Sequence, residues 1–416
     1  MQPGLSRRMF IGLVAGAGLG VLAHLVAGDS AALAALITYG TEPIGKIFLR
    51  LLFMLVLPLV LSALALGVAE LRDLRQLGRI GLKTLAYTVV VTSIAVLVGV
   101  TLVNLIRPGD GLPPALRDTL QSRAAAPPAA ALGGGATGVD FLVQLVPANV
   151  VRAMADGDML AVMVFALLLG IGLVLTRSEA TRAFEQALQG LYDVTMRLLG
   201  LVIRFAPIGV GCLLFTLTAR LGYDILNQLG WYVLVVVLAL AIQQFGVYSA
   251  SVAWLGGMSP LFFFRAVRPA VVTAFSTASS NATLPTALQV AEENLRLPAH
   301  VSRFVLSIGS TANQNGTALF EGVTVLFLAQ FYGVELALAQ QILVVFICVL
   351  GGIGTAGVPA GSIPVIAMIL GLVGVPPDGI GIILGVDRIL DMCRTTVNVT
   401  GDLAAAVVVS RGETQH

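Results

Sequence analysis

Apolar stretches long enough to cross a lipid bilayer recur from one end of this 416-residue chain to the other. At helical rise, about 20 apolar residues span a hydrocarbon core of about 30 Å. Several stretches here exceed that length, so the chain is expected to be a polytopic, all-α membrane protein with lipid as an obligatory partner. Composition agrees, because only 11% of residues are charged and the mean hydropathy is +0.95. A soluble chain of this size displays far more surface charge. A net charge of +2 without basic arms argues against a nucleic-acid partner.

The first span is expected over Phe10 to Ala27, anchored by Arg7 and Arg8. Ser6-Arg7-Arg8-Met9-Phe10 resembles a twin-arginine export signal, but an exported soluble protein would not continue into further apolar segments. The segment is therefore read as a retained helix with a cytoplasmic N-terminus. Further spans are expected from Ile44 to Val68, Ile80 to Ile106, Phe141 to Leu175, Leu191 to Leu221 and Trp231 to Leu255. Arg72, Arg75, Arg79 and Lys83 follow the second span and are cytoplasmic by the positive-inside rule, as two crossings require. Arg107 to Gly138, rich in Pro, Ala and Gly, reads as an external loop. Cys212, Cys348 and Cys393 show no metal-ligand spacing and read as packing thiols.

Beyond Leu255 the apolar stretches shorten and are interrupted by Ser, Thr, Asn, Gly and Pro. Irregular backbone at membrane depth is tolerated only where protein buries it or where it lines a wet cavity. Two interruptions lie in related positions: Phe275 to Pro285, and Gly351 to Ser362. Each has apolar arms on both sides, and each precedes one more helix, Phe304 to Phe331 and Ile380 to Val409. The order hairpin, helix, hairpin, helix is a repeat of the kind that builds a binding site at the bilayer midplane. A third interruption, Gly309 to Thr317, is expected to unwind the first of those helices and expose carbonyls beside Asn313.

The last helix carries Asp387, Asp391, Arg394, Asn398 and Asp402 at i, i+4, i+7, i+11 and i+15. At about 100° per residue they fall within an arc of roughly 80°, one polar stripe on an apolar helix. Ionisable groups inside a membrane are costly unless paired, so the stripe reads as functional. Three aspartates against one arginine imply cations, and carboxylate, amide and freed carbonyl oxygens suit Na⁺. Glu321 follows Thr317 by four residues on the same face. A membrane-embedded carboxyl can take up a proton as it is desolvated, which makes Glu321 a proton-carrier candidate. Arg388, about 100° off the stripe, has no assigned partner from sequence; Asp387 and the first hairpin are the alternatives.

These residues resemble the dicarboxylate/amino acid:cation symporter family, the glutamate transporters and their prokaryotic relatives. The resemblance runs from Arg50-Leu51-Leu52-Phe53-Met54-Leu55-Val56-Leu57-Pro58 to the end of the chain, with its strongest signature between Asp387 and Asp402 (DRILDMCRTTVNVTGD). Thr283-Leu284-Pro285 and the run from Gly354 to Pro359 support it. It implies eight transmembrane helices plus two re-entrant helical hairpins with inverted repeats, in a homotrimer whose transport domains move like elevators against a scaffold. The chain then divides into residues 1–76 (helices 1 and 2), 77–140 (helix 3 and the external loop), 141–256 (helices 4 to 6) and 257–416 (the transport core). The location implied is a bacterial inner membrane.

The resemblance further implies that Asp391 binds a substrate amino group and Arg394 a side-chain carboxylate. Thr395, Asn398, Thr317 and the hairpin tips at Ser279, Ser280, Gly357 and Val358 would complete the site. Arg suits a carboxylate through its bidentate fork, and an opposing Asp needs a cation such as an ammonium. L-aspartate and L-glutamate therefore rank above C4-dicarboxylates, which would leave Asp391 facing like charge, and above neutral amino acids, which would leave Arg394 unpaired. One implied Na⁺ site uses the carbonyls of Gly309, Asn313 and Asn398 with Asp402, and a second uses backbone at Thr311, Ile353 and Thr355. A third would use Thr92, Ser93 and position 315. Here the chain departs from the family's NMDGT motif and reads Asn313-Gln314-Asn315-Gly316-Thr317, while Val89 replaces a family tyrosine. An amide is a weaker Na⁺ ligand than a carboxylate, so fewer Na⁺ ions are expected, with a proton on Glu321. A proton-coupled dicarboxylate or neutral amino acid carrier is the alternative within transport. A channel would use similar elements without stoichiometric coupling, and no Ser/His/Asp, zinc or nucleotide motif suggests an enzyme.

Overall fold

The computed structural model describes residues 3–28, 30–70, 79–110, 146–156, 159–176, 178–222, 224–354 and 361–412. Among the described residues every regular element is helical. Residues 111–138 of the loop expected to be external, together with Arg72 and Arg75, lie outside them.

The N-terminal helices are α1 (Pro3–Ala27), α2 (Ala31–Leu36), α3 (Glu42–Phe53), α4 (Val56–Glu70), α5 (Arg79–Ile106), α6 (Val150–Asp156), α7 (Met159–Leu175), α8 (Glu179–Leu221) and α9 (Asp224–Ala241). Ala31–Ala69, Arg79–Ile106 and Leu226–Leu255 are long and apolar enough to cross a bilayer. Glu179–Val202 and Arg204–Arg220 would together form a fourth span, bent by 52°. This is the expected fifth span, which begins earlier than its apolar core because Ser178 caps it. The Ser178 hydroxyl accepts from Thr181 N–H, and Thr181 returns a bond to Ser178 N–H. That reciprocal cap lets a polar first turn join the apolar helix.

Along α1, Gly12, Gly16 and Gly20 recur every four residues and face α8. A Cβ on Gly12 would collide with Pro207 O and one on Gly16 with Gly211 O. Small residues at such spacing allow two backbones to approach, which drives helix association where no hydrophobic gain is available. His24 is half-buried nearby, and its Nδ1 lies 2.9 Å from Ala219 O.

The C-terminal region comprises α10 (Pro260–Ala266), α11 (Arg268–Thr277), α12 (Ser280–Gln289), α13 (Ala299–Ala312), α14 (Asn315–Phe331), α15 (Leu338–Gly354), α16 (Ile363–Leu372) and α17 (Ile380–Ser410). α11 and α12 pack against each other where the first hairpin is expected, and α15 and α16, which also touch, flank the expected second. α14 is wrapped by α5, α15, α16 and α17, and every residue from Asn315 to Ala329 is buried. A helix buried on all faces must be apolar on all faces, apart from groups that find partners. α5 and α9, the expected third and sixth spans, pack on this core, whereas α1, α3 and α4 pack with α7 or α8. Side chains such as Val26, Leu105 and Trp254 stay exposed, apolar surface that suits lipid rather than water.

Replacing Gly16 with Val is expected to destabilise the α1–α8 contact by about 1–3 kcal/mol, read as a lower melting temperature in detergent. Gly18→Val, where a Cβ meets nothing within 4 Å, should leave the melting temperature nearly unchanged.

Candidate functional site

The first hairpin turns where Ala278 adopts a left-handed conformation (φ 50°) and its N–H bonds Ala274 O at 2.8 Å. A non-glycine residue pays about 1–2 kcal/mol for that conformation, and the return arm compensates at once. The Ser279 hydroxyl accepts from Ala282 N–H at 3.2 Å, while Thr283 Oγ1 donates to Ser279 O at 2.8 Å. Ser279 and Ser280 thus sit at the start of α12, as expected for a hairpin tip. The Ser280 hydroxyl is buried with no hydrogen-bond partner among the described residues.

The break in the preceding helix is narrower than Gly309 to Thr317. α13 continues through Ala312, only Asn313 and Gln314 are non-helical, and α14 resumes at Asn315. The reason is Asn398 of α17. Its Oδ1 accepts from the N–H groups of Gly316 (2.7 Å) and Thr317 (3.3 Å), the orphan donors at the start of α14. Its Nδ2 donates to Gln314 Oε1 (2.6 Å) and Thr317 Oγ1 (3.0 Å). All four hydrogen-bonding positions of the amide are used, and a cap supplied from another helix keeps the interruption to two residues.

Beside the break, Asn313 Nδ2 donates to Asp402 Oδ1 at 2.9 Å. A Cβ on Gly309 would stand 2.6 Å from the same Asp402 oxygen, so only glycine lets the carboxylate lie against α13. Asn313 Oδ1 is buried and accepts no hydrogen bond among the described residues. A buried acceptor without a donor, next to a buried carboxylate, fits a cation. Gly309, Asn313 and Asp402 are therefore brought together; the Asn398 side chain is directed at Gln314, Gly316 and Thr317, and the expectation for Asn398 concerned its backbone carbonyl.

The region expected to hold a third cation is filled differently. Thr92 Oγ1 donates to Asn315 Oδ1 at 2.6 Å, Asn315 Nδ2 donates to Tyr248 OH at 3.1 Å, and Tyr248 OH donates to Val397 O at 3.0 Å. Each link carries a proton where a cation site needs lone pairs. Ser93 is not part of it, since its hydroxyl donates to Val89 O of its own helix. Tyr248 was not legible as a site residue; its only sequence signal is a polar aromatic inside an apolar span.

Arg394 is 1% exposed. Its Nη1 donates to Asp387 Oδ1 at 2.8 Å, its Nη2 lies 2.9 Å from Asp391 Oδ1, and its guanidinium carbon stands 4.2 Å over the Phe320 ring. Arg388 Nη1 lies 3.5 Å from Asp391 Oδ2, a partner that the sequence alone did not offer. Adding it corrects the charge of this end of the stripe from negative to balanced, because Asp387, Arg388, Asp391 and Arg394 carry two charges of each sign. Thr395 is buried on the same helix, and Thr317 lies within reach of Asn398.

The second hairpin approaches through glycine. Gln314 N–H donates to Gly352 O at 3.2 Å, and a Cβ on Gly351 would stand 3.1 Å from Glu321 Oε2. Glu321, fully buried, is thus brought against α15. Thr311 is helical, its hydroxyl donating to Ile308 O at 3.1 Å. Ile353 is helical backbone in the last turn of α15, and Thr355, Gly357 and Val358 lie outside the described residues.

Residues 5–412 match the model of the sodium:dicarboxylate symporter family. The chain belongs to that family. A member of it is a multi-pass membrane transporter, not an enzyme. Similar relatives include the proton/glutamate-aspartate symporter of Escherichia coli (strain K12), 34% identical over 376 residues, which are 89% of this chain and 85% of that protein. The proton/sodium-glutamate symport protein of Geobacillus stearothermophilus is 33% identical over 99% of this chain and 95% of its own length. A C4-dicarboxylate transport protein of Anaeromyxobacter sp. (strain K) is 31% identical over 98% and 90%.

Asn398→Ala would strand the N–H of Gly316 and the amide oxygen of Gln314 in a buried break. The expected cost is about 2–4 kcal/mol, seen as a lower melting temperature together with loss of uptake in proteoliposomes.

Proposed function

We propose that this protein is a secondary active symporter that takes up L-aspartate and L-glutamate, coupled to Na⁺ and to a proton. The observation that carries the reading is the buried pair of opposite charges, Asp391 and Arg394, beside the helix break capped by Asn398. An acidic amino acid has an ammonium for Asp391 and a side-chain carboxylate for the Arg394 fork. Thr317, Thr395, Asn398 and the hairpin tips at Ser279, Ser280, Gly357 and Val358 would surround its remaining polar groups. The names of the relatives, glutamate and glutamate-aspartate symporters, agree in substrate class.

Coupling follows from charge. Gly309, Asn313 and Asp402 hold one Na⁺, where the orphaned Asn313 Oδ1 and the Asp402 carboxylate supply oxygen ligands, and Thr311, Ile353 and Thr355 hold a second. The third site of the family is closed here by the Thr92–Asn315–Tyr248 hydrogen-bond chain. Glu321 takes the proton. Alternating access is elevator-like: the core, with the two spans packed on it, moves against the α1, α3, α4, α7 and α8 assembly. That assembly belongs to a homotrimer of eight-helix, two-hairpin protomers in a bacterial inner membrane, with the N-terminus cytoplasmic and residues 257–416 as the transport core.

Radiolabelled aspartate uptake into proteoliposomes under imposed Na⁺ and H⁺ gradients tests the reading. Uptake should require the Na⁺ gradient and be enhanced by the proton gradient, and Arg394→Cys should lower it at least about 100-fold, as loss of a buried charge pair's partner does; unchanged aspartate uptake in that variant overturns the role given to Arg394. Charge moved per aspartate should correspond to fewer than three Na⁺. A full three-Na⁺ stoichiometry would show that Asn315 still serves a cation.

A further inference from the structure

Between Asp224 and Glu292 the chain contains no acidic residue, and its only charged residues there are Arg265 and Arg268. Both follow closely on the end of the apolar span Leu226–Leu255. Gly256 and Gly257, the latter with φ 69°, turn the chain, and α10 begins at Pro260, a residue that suits a first helical turn. Arg411, just past the end of α17, fastens the turn: its Nη1 donates to Trp254 O at 3.0 Å and to Leu255 O at 2.9 Å.

α10 has two unlike faces. Phe263 is fully buried, and Phe264 packs on Phe245 with ring centroids 5.5 Å apart. Leu261 and Phe262 are 62% and 50% exposed, and Arg265 and Arg268 are exposed as well. The segment Ser251–Leu255, which α10 touches, adds Trp254, 78% exposed, and Leu255. Water does not suit the apolar groups and hydrocarbon does not suit the arginines. The boundary between acyl chains and headgroups suits both.

Among the described residues neither Arg265 nor Arg268 has an ion-pair or hydrogen-bond partner for its guanidinium. The next acids along the chain are already engaged, Glu292 with Arg303 at 2.8 Å and Glu293 with Gln289 at 3.0 Å. Helix stability does not explain Arg268 either, since a cation in the first turn of α11 opposes the helix dipole. An anion from outside the chain answers both charges, and the exposed aromatic and leucine side chains beside them call for one that carries acyl chains. A zwitterionic headgroup brings its own ammonium, so two unpaired guanidiniums favour a headgroup of net negative charge.

We propose that Trp254, Leu255, Leu261, Phe262, Arg265 and Arg268 form a docking surface for an anionic phospholipid, its acyl chains against the apolar side chains and its phosphate held by the two arginines. The lipid anchors the root of the α11–α12 pair, because α10 runs through Val267 into α11, while Asn294, which follows α12, donates from Nδ2 to Ala266 O at 2.8 Å.

Trp231 and Trp254 are the chain's two tryptophans, so in the full-length Trp231→Phe protein Trp254 alone reports on the lipid beside it. The protein is reconstituted into vesicles of phosphatidylcholine and phosphatidylglycerol, with one lipid and then the other brominated in its acyl chains. Trp254 fluorescence should be quenched by both, with phosphatidylglycerol preferred about fivefold or more, the worth of roughly one arginine facing an anionic headgroup. The double variant Arg265→Gln, Arg268→Gln should bring the preference close to one, and about 1 M salt should lower it in the wild-type surface. Arg303→Gln, which removes an exposed but paired arginine, should leave it nearly unchanged. Equal quenching by the two lipids, a preference that survives the double variant, an equal fall in Arg303→Gln, or no quenching by either lipid overturns the proposal. If the double variant does not fold, the unmutated surface still decides: a preference that is absent, or that salt does not lower, is not one of charge and overturns it.

Discussion

The structure depends on how it keeps a guanidinium in an apolar interior. Burying an unpaired charge costs several kcal/mol or more, yet Arg394 sits among fully buried side chains at the centre of the C-terminal core. Asp387 two turns back, Asp391 one turn back and the Phe320 ring against it make that burial tolerable. The arrangement fixes the rotation of α17, because the carboxylates and the guanidinium must share one side of the helix. Once that side is set, Asn398 and Asp402 are carried on the same stripe to the break between α13 and α14.

The break depends on this register in turn. Two non-helical residues in a buried segment leave backbone donors that water cannot satisfy. Asn398 satisfies the start of α14, Gly352 O accepts from Gln314 N–H, and Asn313 meets Asp402. Glycines at 309, 351 and 352 allow the neighbouring elements to come close enough for those bonds. The charges proposed to face the substrate and the oxygens proposed to face a cation are therefore mechanically continuous: moving α17 relative to α14 would disturb both. That continuity is a physical basis for coupling, since a ligand at either place acts on the same pair of helices.

Much of this was legible in the sequence because lipid simplifies the code. A charged or amide residue in an apolar helix has to have a partner, so the stripe from Asp387 to Asp402, the two hairpins and the interruption near Asn313 all announced themselves. The interruption was expected to be wider, because the polar run from Gly309 to Thr317 does not reveal that Asn398 caps it from outside. Arg388 was unplaced for a similar reason. Angular position about a helix axis excludes it from the stripe, but a long side chain reaches across that angle to Asp391. The approach of α1 to α8 had a signal, the fourfold glycine spacing, that a reading focused on apolar length overlooks.

By itself, then, the sequence determined the membrane-embedded helical class, the family and the residues that carry charge within the C-terminal helices. Periodicity and hydropathy are one-dimensional properties, and they suffice for those. Which oxygens remain available is a three-dimensional matter. Only the tertiary structure decided that Asn315 is committed to Thr92 and Tyr248, residues distant in sequence, while Asn313 Oδ1 is left without a donor. It also decided that Asp391 meets two arginines rather than one, because hydrogen bonds and ion pairs are set by distances of a few ångströms between helices, which no spacing along one helix encodes.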